Sequence, residues 1–449
     1  MKKLSIAIGI SLLLFSFSSY AFTATEARLI GAVTFLVILW SNEGLPLGVV
    51  SLFPIILFPL LGIIDLKSVA PNYSNPIIFL FIGGFLLAIA MQKTKLHEVV
   101  AKKLLSFFPN TPKGIIYSLS ITSATLSSFL SNTTVTLMLM PIALFLTKNI
   151  KLKVRFLIAT AYGASIGGIF TPIGTPPNLI LLGFLEKINL KAPTFLEWMM
   201  LTAPVLFLMI LIVPFLLSLG AENEDLGINS SNKKIALTKE QKKLSIILIA
   251  LILLLIFNAP IKPFYSGLGL NEKIILLLFG LLVFLPKIEI LKWEDFKEIP
   301  YEIIFLFGAG FSIASAFIKT GLASSLASYF EIFEGAPIFL ILFLVALFVS
   351  FSTEITSNTA LTSIALPIFY EFSKNSSLDP AIILFVATIA ASYAFMLPIA
   401  TPPNAIVMSS RVIKVKDMAK IGFFVNLIGV IIVSAVAILF WKSFFKGFA

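Results

Sequence analysis

The sequence predicts an all-α polytopic membrane protein with an internal inverted repeat. Three observations predict it. Apolar stretches of spanning length recur along the whole chain, one block at 77–96 returns in register at 303–322, and the basic residues cluster in particular connecting segments. Of the 449 residues, 58% are hydrophobic and only 12% charged, where a soluble domain carries about a quarter. The mean hydropathy is +1.04. These values exclude a soluble enzyme with a single anchor. The chain has no Cys and one His, which excludes a disulfide framework, a thiol nucleophile and a Cys-based metal site. A net charge of +11 without any basic-aromatic module points to a lipid bilayer as the surrounding partner and not to nucleic acid.

In chain order, apolar stretches fall near 4–22, 27–42, 46–64, 77–94, 155–186, 198–219, 244–261, 272–286, 303–320, 379–409 and 421–441. The first imitates a secretory signal, with two lysines, an apolar core and small residues near Ala21. It is read instead as the first membrane helix, because another apolar span follows at once. Two further apolar segments, 114–147 and 336–370, carry Ser-Asn-Thr in their middles. Read as re-entrant hairpins, they leave eleven transmembrane helices. Charge supports the hairpins. One side then holds Lys2 and Lys3, five basic residues in 93–113, four in 148–155, five in 233–243, three in 287–297 and four in 411–420. Counted as plain spans, the hairpins would put 93–113 and 148–155 on opposite sides against the positive-inside tendency. The expectation is a multi-pass protein of the plasma (inner) membrane, N-terminus cytoplasmic and C-terminus outside. The polar stretch 220–243 reads as a solvated cytoplasmic linker between two halves. His97, among Lys93, Lys95, Lys102 and Lys103, is expected at the surface.

The repeat is "IIFLFIGGFLLAIAMQKTKL" against "IIFLFGAGFSIASAFIKTGL", identical at twelve of twenty positions without a gap. The same offset carries Ser131 to Ser357 and "TPIGTPPN" (171–178) to "LPIATPPN" (397–404). Five spans separate the copies, so the second is inverted. Inverted repeats with interrupted helices are the mark of secondary transporters, with the binding site at the repeat interface.

The interruptions supply the chemistry. Ser, Asn and Thr are strong N-cap residues. Ser131-Asn132-Thr133 and Ser357-Asn358-Thr359 can each end one half-helix and begin another, whose free N–H groups attract an anion. In Gly174-Thr175-Pro176-Pro177-Asn178 the prolines remove two N–H donors and release the carbonyls of Pro172 and Ile173. Thr175 can cap and Pro176 can open the next helix. Ala400-Thr401-Pro402-Pro403-Asn404 repeats that logic. Ser127 and Thr353 lie four residues before Ser131 and Ser357, on the same face of a helix. The clusters Ser127/Ser131/Asn132 and Thr353/Ser357/Asn358 offer only neutral oxygens, which suit a monovalent hard cation better than zinc or calcium. A lone Ser-Asn-Thr is ordinarily helix–helix glue and a lone Pro-Pro a kink. Two copies of both in one register argue for a site. Glu354, the one carboxylate in the central part of either hairpin, either supports a tip through hydrogen bonds or couples an ion. An intramembrane enzyme would need a nucleophile with a base or paired carboxylates. The hairpins hold neither, so the chain is read as no enzyme.

The motifs "IIFLFIGGF", "SNT", "SIGGIFTPIGTPPN", "TSNTALTSIALPI" and "AFMLPIATPPNAIV" resemble those of the divalent anion:sodium symporter family, the INDY-type dicarboxylate transporters, over nearly the whole chain. The resemblance implies a homodimer and elevator-type alternating access. It implies scaffold helices in 1–96 and 244–322, and transport-domain halves in 97–219 and 323–449, joined by the linker 220–243. It implies a first sodium site of Ser127, Ser131, Asn132 and the Gly174 carbonyl, and a second of Thr353, Ser357, Asn358 and the Ala400 carbonyl. Asn132, Thr133, Asn358 and Thr359 would bind substrate carboxylates, with Thr175, Pro176, Thr401 and Pro402 lining the pocket. Sodium would be the coupling ion, without another cofactor, and the cargo a C4 dicarboxylate such as succinate, malate or fumarate. A sodium-independent exchanger, or a carrier of sulfate or a tricarboxylate, is the alternative. One departure stands out: Thr134 follows the first triplet where the family usually has Ala.

Overall fold

The structure is a computed structural model that describes residues 2–42, 44–221, 236–260, 264–333, 335–374 and 379–446. The described residues form helices and no β-sheet. The N-terminal apolar stretch is helix α1 (Lys2–Ser18), packed on α2 (Ala24–Asn42). There follow α3 (Leu47–Leu60), the single turn α4 (Leu66–Val69) capped by Asp65, and α5 (Pro76–Lys93). Asn75 caps α5 and Pro76 opens it, a combination that costs no intrahelical bond.

From α5 onward one order of elements occurs twice. The first copy has α5, a short α6 (Leu96–Leu105), the broken pair α7 (Pro112–Ser127) and α8 (Asn132–Phe145), the broken pair α9 (Ile150–Gly168) and α10 (Pro176–Lys187), and a long α11 (Phe195–Ser218). Between the copies lie α12 (Lys239–Asn258) and α13 (Glu272–Leu282). The second copy has α14 (Tyr301–Thr320), α15 (Leu322–Ala327), the pairs α16 (Ile338–Ser352)/α17 (Asn358–Lys374) and α18 (Pro380–Ala390)/α19 (Pro402–Ser409), and α20 (Val415–Val436).

Length separates spanning helices from half-helices. At about 1.5 Å per residue, the 16 residues of α7 and the 14 of α8 each fall short of the ~30 Å hydrocarbon core. The 24 residues of α11 and 20 of α14 reach across it. By length and composition, five described stretches can cross: Ala24–Asn42, Leu66–Lys93, Phe195–Ser218, Tyr301–Thr320 and Val415–Phe445.

Three local expectations change. The stretch 272–286 is helical only over Glu272–Leu282. Helix α12 begins at Lys239, inside the expected linker, because Thr238 and Gln241 form a capping box there; residues 222–235 of that linker lie outside the described residues. His97 is not at the surface. It is buried, with Nδ1 2.9 Å from the Met91 carbonyl oxygen, because α6 folds back under α5 and hides it.

Close approaches fix the packing. A Cβ on Gly83 of α5 would lie 2.3 Å from the Leu276 carbonyl oxygen of α13. Only glycine lets those helices cross there, a usual device where lipid gives no hydrophobic drive. Each copy also grips the other. Helix α10 packs on α17, and α19 packs on α8 and α9. That exchange packs half-helices of one copy against those of the other.

Candidate functional site

Within the four broken pairs the chain leaves helical geometry at 128–131, 169–175, 353–357 and 391–401. At the first tip, Ser131 is the N-cap of α8 and its Oγ accepts the Thr134 N–H at 3.1 Å. The Ser127 hydroxyl donates to Asn132 Oδ1 at 2.5 Å. At the second, the Thr353 hydroxyl donates to Asn358 Oδ1 and also reaches the Ala391 carbonyl at 3.2 Å. The expected hydroxyl pairs are therefore brought in by a turn and not along one helix face. Helix α7 stops at Ser127 and α16 at Ser352, so Ser131 and Ser357 lie beyond the helix ends. The hydroxyl meets the Asn five residues on.

Behind each tip lies the matching break. A Cβ on Gly168 would sit 2.8 Å from Asn132 Oδ1, and one on Gly174 would sit 2.4 Å from the Gly168 carbonyl oxygen. Break and tip are therefore in direct contact in the first copy. Pro176 and Pro402 open α10 and α19, as the sequence implies. Thr401 accepts the Asn404 N–H at 3.4 Å. Thr175 stands at the N-cap position but makes no side-chain cap, so its expected capping role is not observed.

The breaks release further carbonyls besides those of Pro172 and Ile173. Asn178 Nδ2 donates to the carbonyls of Gly168 (3.0 Å) and Thr171 (2.8 Å). Asn404 Nδ2 donates to those of Ala394 (3.0 Å) and Leu397 (3.1 Å), the same positions one repeat later. Sequence reasoning quoted both asparagines within the Thr-Pro-Pro-Asn motif and gave them no role. Their return in register was the available signal. Both side chains are fully buried, and Asn178 Oδ1 and Asn404 Oδ1 have no hydrogen-bond partner. With each Nδ2 committed to two carbonyls, each Oδ1 is left as an acceptor. Only a donor or a cation can satisfy it.

Glu354 is buried and held entirely by donors. It accepts the Met396 N–H at 2.8 Å, the Leu397 N–H at 2.9 Å and the Asn426 amide at 2.7 Å. Asn426 Oδ1 in turn accepts the Phe395 N–H at 3.1 Å. Of the two roles considered, this geometry favours support: the carboxylate braces the second break against α20.

The site as a whole combines uncharged hydroxyls, amides, released carbonyls and half-helix N-termini. The acceptors suit a hard monovalent cation, and the N-termini of α8, α17, α10 and α19 suit carboxylate oxygens. No group of three or more His, Cys, Asp or Glu among the described residues could hold a transition metal.

Comparison with known proteins agrees with this chemistry. The citrate transporter family (CitMHS) matches residues 35–390. The sodium-dependent dicarboxylate transporter SdcS of Staphylococcus saprophyticus is 31% identical over 425 residues, 88% of this chain and 82% of that protein. The protein of the same name from Staphylococcus aureus is 31% identical over 426 residues, with the same coverage. Among solved structures, Neisseria gonorrhoeae MtrF aligns with a TM-score of 0.57 at 13% identity, over 84% of this chain and 83% of that one. The Alcanivorax borkumensis YdaH transporter aligns with a TM-score of 0.57 at 14% identity, over 85% and 89%. At such identities these two speak for the fold alone.

Proposed function

The chain belongs to the citrate transporter family, and from that premise we propose that it is a multi-pass membrane symporter that couples sodium to dicarboxylate uptake. The carrying observation is the duplicated, charge-free site, in which each copy contributes a hydroxyl–Asn pair and an Asn-bridged helix break. C4 dicarboxylates such as succinate, malate or fumarate are the proposed cargo. Sodium occupies Ser127, Ser131, Asn132 and the Gly174 carbonyl in one copy, and Thr353, Ser357, Asn358 and the Ala400 carbonyl in the other. Asn132, Thr133, Asn358 and Thr359 receive the carboxylates, while Thr175, Pro176, Thr401 and Pro402 line the pocket.

The energetics follow from what the tips lack. Neither triplet has a Lys or Arg beside it. A dianion entering alone would lose its hydration for dipoles only, at high cost. Sodium bound first supplies positive charge and fixes the tips, so ion and anion binding become coupled free energies. Movement follows the elevator scheme, the duplicated broken elements sliding against a scaffold that dimerises. The N-terminus is cytoplasmic and the C-terminus outside.

Radiolabelled succinate uptake into proteoliposomes tests the reading. Accumulation is expected under an inward sodium gradient and not under potassium, and Asn132→Ala or Asn358→Ala should abolish it. Uptake indifferent to sodium but dependent on internal dicarboxylate would make the protein an exchanger. Citrate belongs in the same assay, because the matching family is named for it.

A further inference from the structure

Beyond the exchange of Ser127 for Thr353, the two tips differ at a further point that touches the cation cluster. Thr134 follows the first triplet and Ala360 follows the second. On the helix that leads each copy, Gln92 of α5 corresponds to Ile318 of α14. The two differences meet in space. Gln92 Nε2 donates to Thr134 Oγ1 at 3.3 Å, and Thr134 Oγ1 lies 2.9 Å from Ser131 Oγ. In the second copy, neither Ile318 nor Ala360 has a polar side-chain atom.

A serine hydroxyl has one proton and two lone pairs. One Ser131 lone pair already accepts the Thr134 N–H. The second can face a cation only when the proton points elsewhere. Thr134 Oγ1 is an acceptor at the right distance for that proton, and Gln92 fixes its position from the other side. Partners behind a metal ligand orient it and raise its donor strength in just this manner.

We propose that Thr134, held by Gln92, is a positioning residue for the first cation cluster: it takes the Ser131 proton and leaves a Ser131 lone pair for the ion. The second cluster has no such device, so the two coupling ions bind with unequal affinity, the first more tightly. This rests on the reading of Ser131 as a sodium ligand.

The experiment is succinate uptake by proteoliposomes of the full chain across a series of external sodium concentrations. Thr134→Val should raise the half-saturating sodium concentration about fivefold, the scale of one lost hydrogen bond, with the maximal rate at saturating sodium retained. Thr134→Ser should restore the wild-type value. Gln92→Leu should shift it about twofold and add nothing to Thr134→Val. Gln92 is only half-buried, so that variant keeps the test open if Thr134→Val misfolds. An unchanged half-saturating concentration in Thr134→Val and in Gln92→Leu overturns the proposal, as does an equal shift in Thr134→Ser. The underlying reading fails separately. Wild-type uptake that ignores sodium removes the symporter, and a Ser131→Ala variant with normal sodium dependence removes the ligand.

Discussion

The two copies solve one problem with partly different chemistry. A broken helix leaves both carbonyls and N–H groups unpaired inside a membrane, where each must find a partner. The first break is held mainly through its carbonyls, by neutral donors. Trp198 Nε1 donates to the Ile169 carbonyl at 3.0 Å and the Thr202 hydroxyl to that of Phe170 at 3.1 Å. The Ser128 hydroxyl reaches the Gly167 carbonyl at 3.2 Å, and the Thr171 hydroxyl returns a bond to the Ser128 carbonyl. The second break has carbonyl partners as well, the Ser350 hydroxyl donating to the Tyr393 carbonyl at 2.8 Å and the Tyr162 hydroxyl to that of Phe395 at 2.6 Å, but its N–H groups are also held, by the Glu354 carboxylate and Asn426. Glu354 and Ser128 occupy the same repeat position. Backbone geometry and the asparagine bridge were duplicated, but the support at Glu354 was not. A buried carboxylate beside a transport site can therefore be a brace, and its charge need not belong to the transport chemistry.

The sharpest way to break this comparison is to remove the two braces separately. Glu354→Ala leaves two backbone N–H groups and an amide without partners and should cost about 4 kcal/mol. Ser128→Ala should cost about 1 kcal/mol. Thermal unfolding of the purified protein in detergent measures both, and equal losses would end the distinction.

A middle-sized effect concerns the close contact of α7 and α9. A Cβ on Gly167 would lie 2.1 Å from the Ala124 carbonyl oxygen. Gly167→Ala should cost about 1–3 kcal/mol through overpacking. The residue in the same repeat position is Tyr393, which is fully buried with a hydroxyl that lacks a partner. Tyr393→Phe should change stability by no more than about 0.5 kcal/mol. A tolerant Gly167 would mean that the first copy is packed no tighter than the second.

The smallest effect lies at the ends of the leading helices. Lys93 pairs with Asp295 at 2.5 Å, and in the other copy Lys319 reaches the Ser68 hydroxyl at 2.6 Å beside Asp65. Partial burial pushes the Asp295 carboxyl up, but the Lys292 N–H and the Lys93 ammonium outweigh it and hold it below the usual range. At Asp65 the Ser68 hydroxyl, helped by Lys319, holds the carboxyl low. A carboxyl lowered by folding stabilises above its unfolded value, and that stability is lost as pH falls through the lower folded value. Lys93→Ala should therefore cost at most about 1 kcal/mol at neutral pH and flatten the decline in unfolding temperature below about pH 4. Lys319→Ala should do less, since Asp65 is held first by Ser68. A larger effect from Lys319 would reverse the order of the two copies.

Much of this was legible in the sequence because it is local. N-caps, paired prolines and the single register of three blocks needed only neighbouring residues, and the half-helices begin at Asn132, Pro176, Asn358 and Pro402 as those signals imply. What the sequence hid depends on contacts across the fold. Asn426 lies far along the chain from Glu354, so no spacing could pair them. Burial of His97 depends on how α6 folds back. The carbonyls bridged by Asn178 and Asn404 could not be named without knowing that α9 stops at Gly168 and α18 at Ala390.

The unpartnered oxygens of Asn178 and Asn404 bear on leakage. A buried acceptor without a donor costs on the order of 1–3 kcal/mol, and each break holds such an asparagine oxygen. A carboxylate group cannot relieve that cost, because it brings only more acceptors; a cation or a water molecule can. On the proposed mechanism, a carrier returning empty would need solvent at both breaks, while one loaded with cations alone would have uncompensated positive charge to move through a low-dielectric interface. The two costs differ in kind, one being met by water and the other not. On that mechanism the tightness of coupling, the number of futile returns per anion delivered, would be set where those two penalties meet.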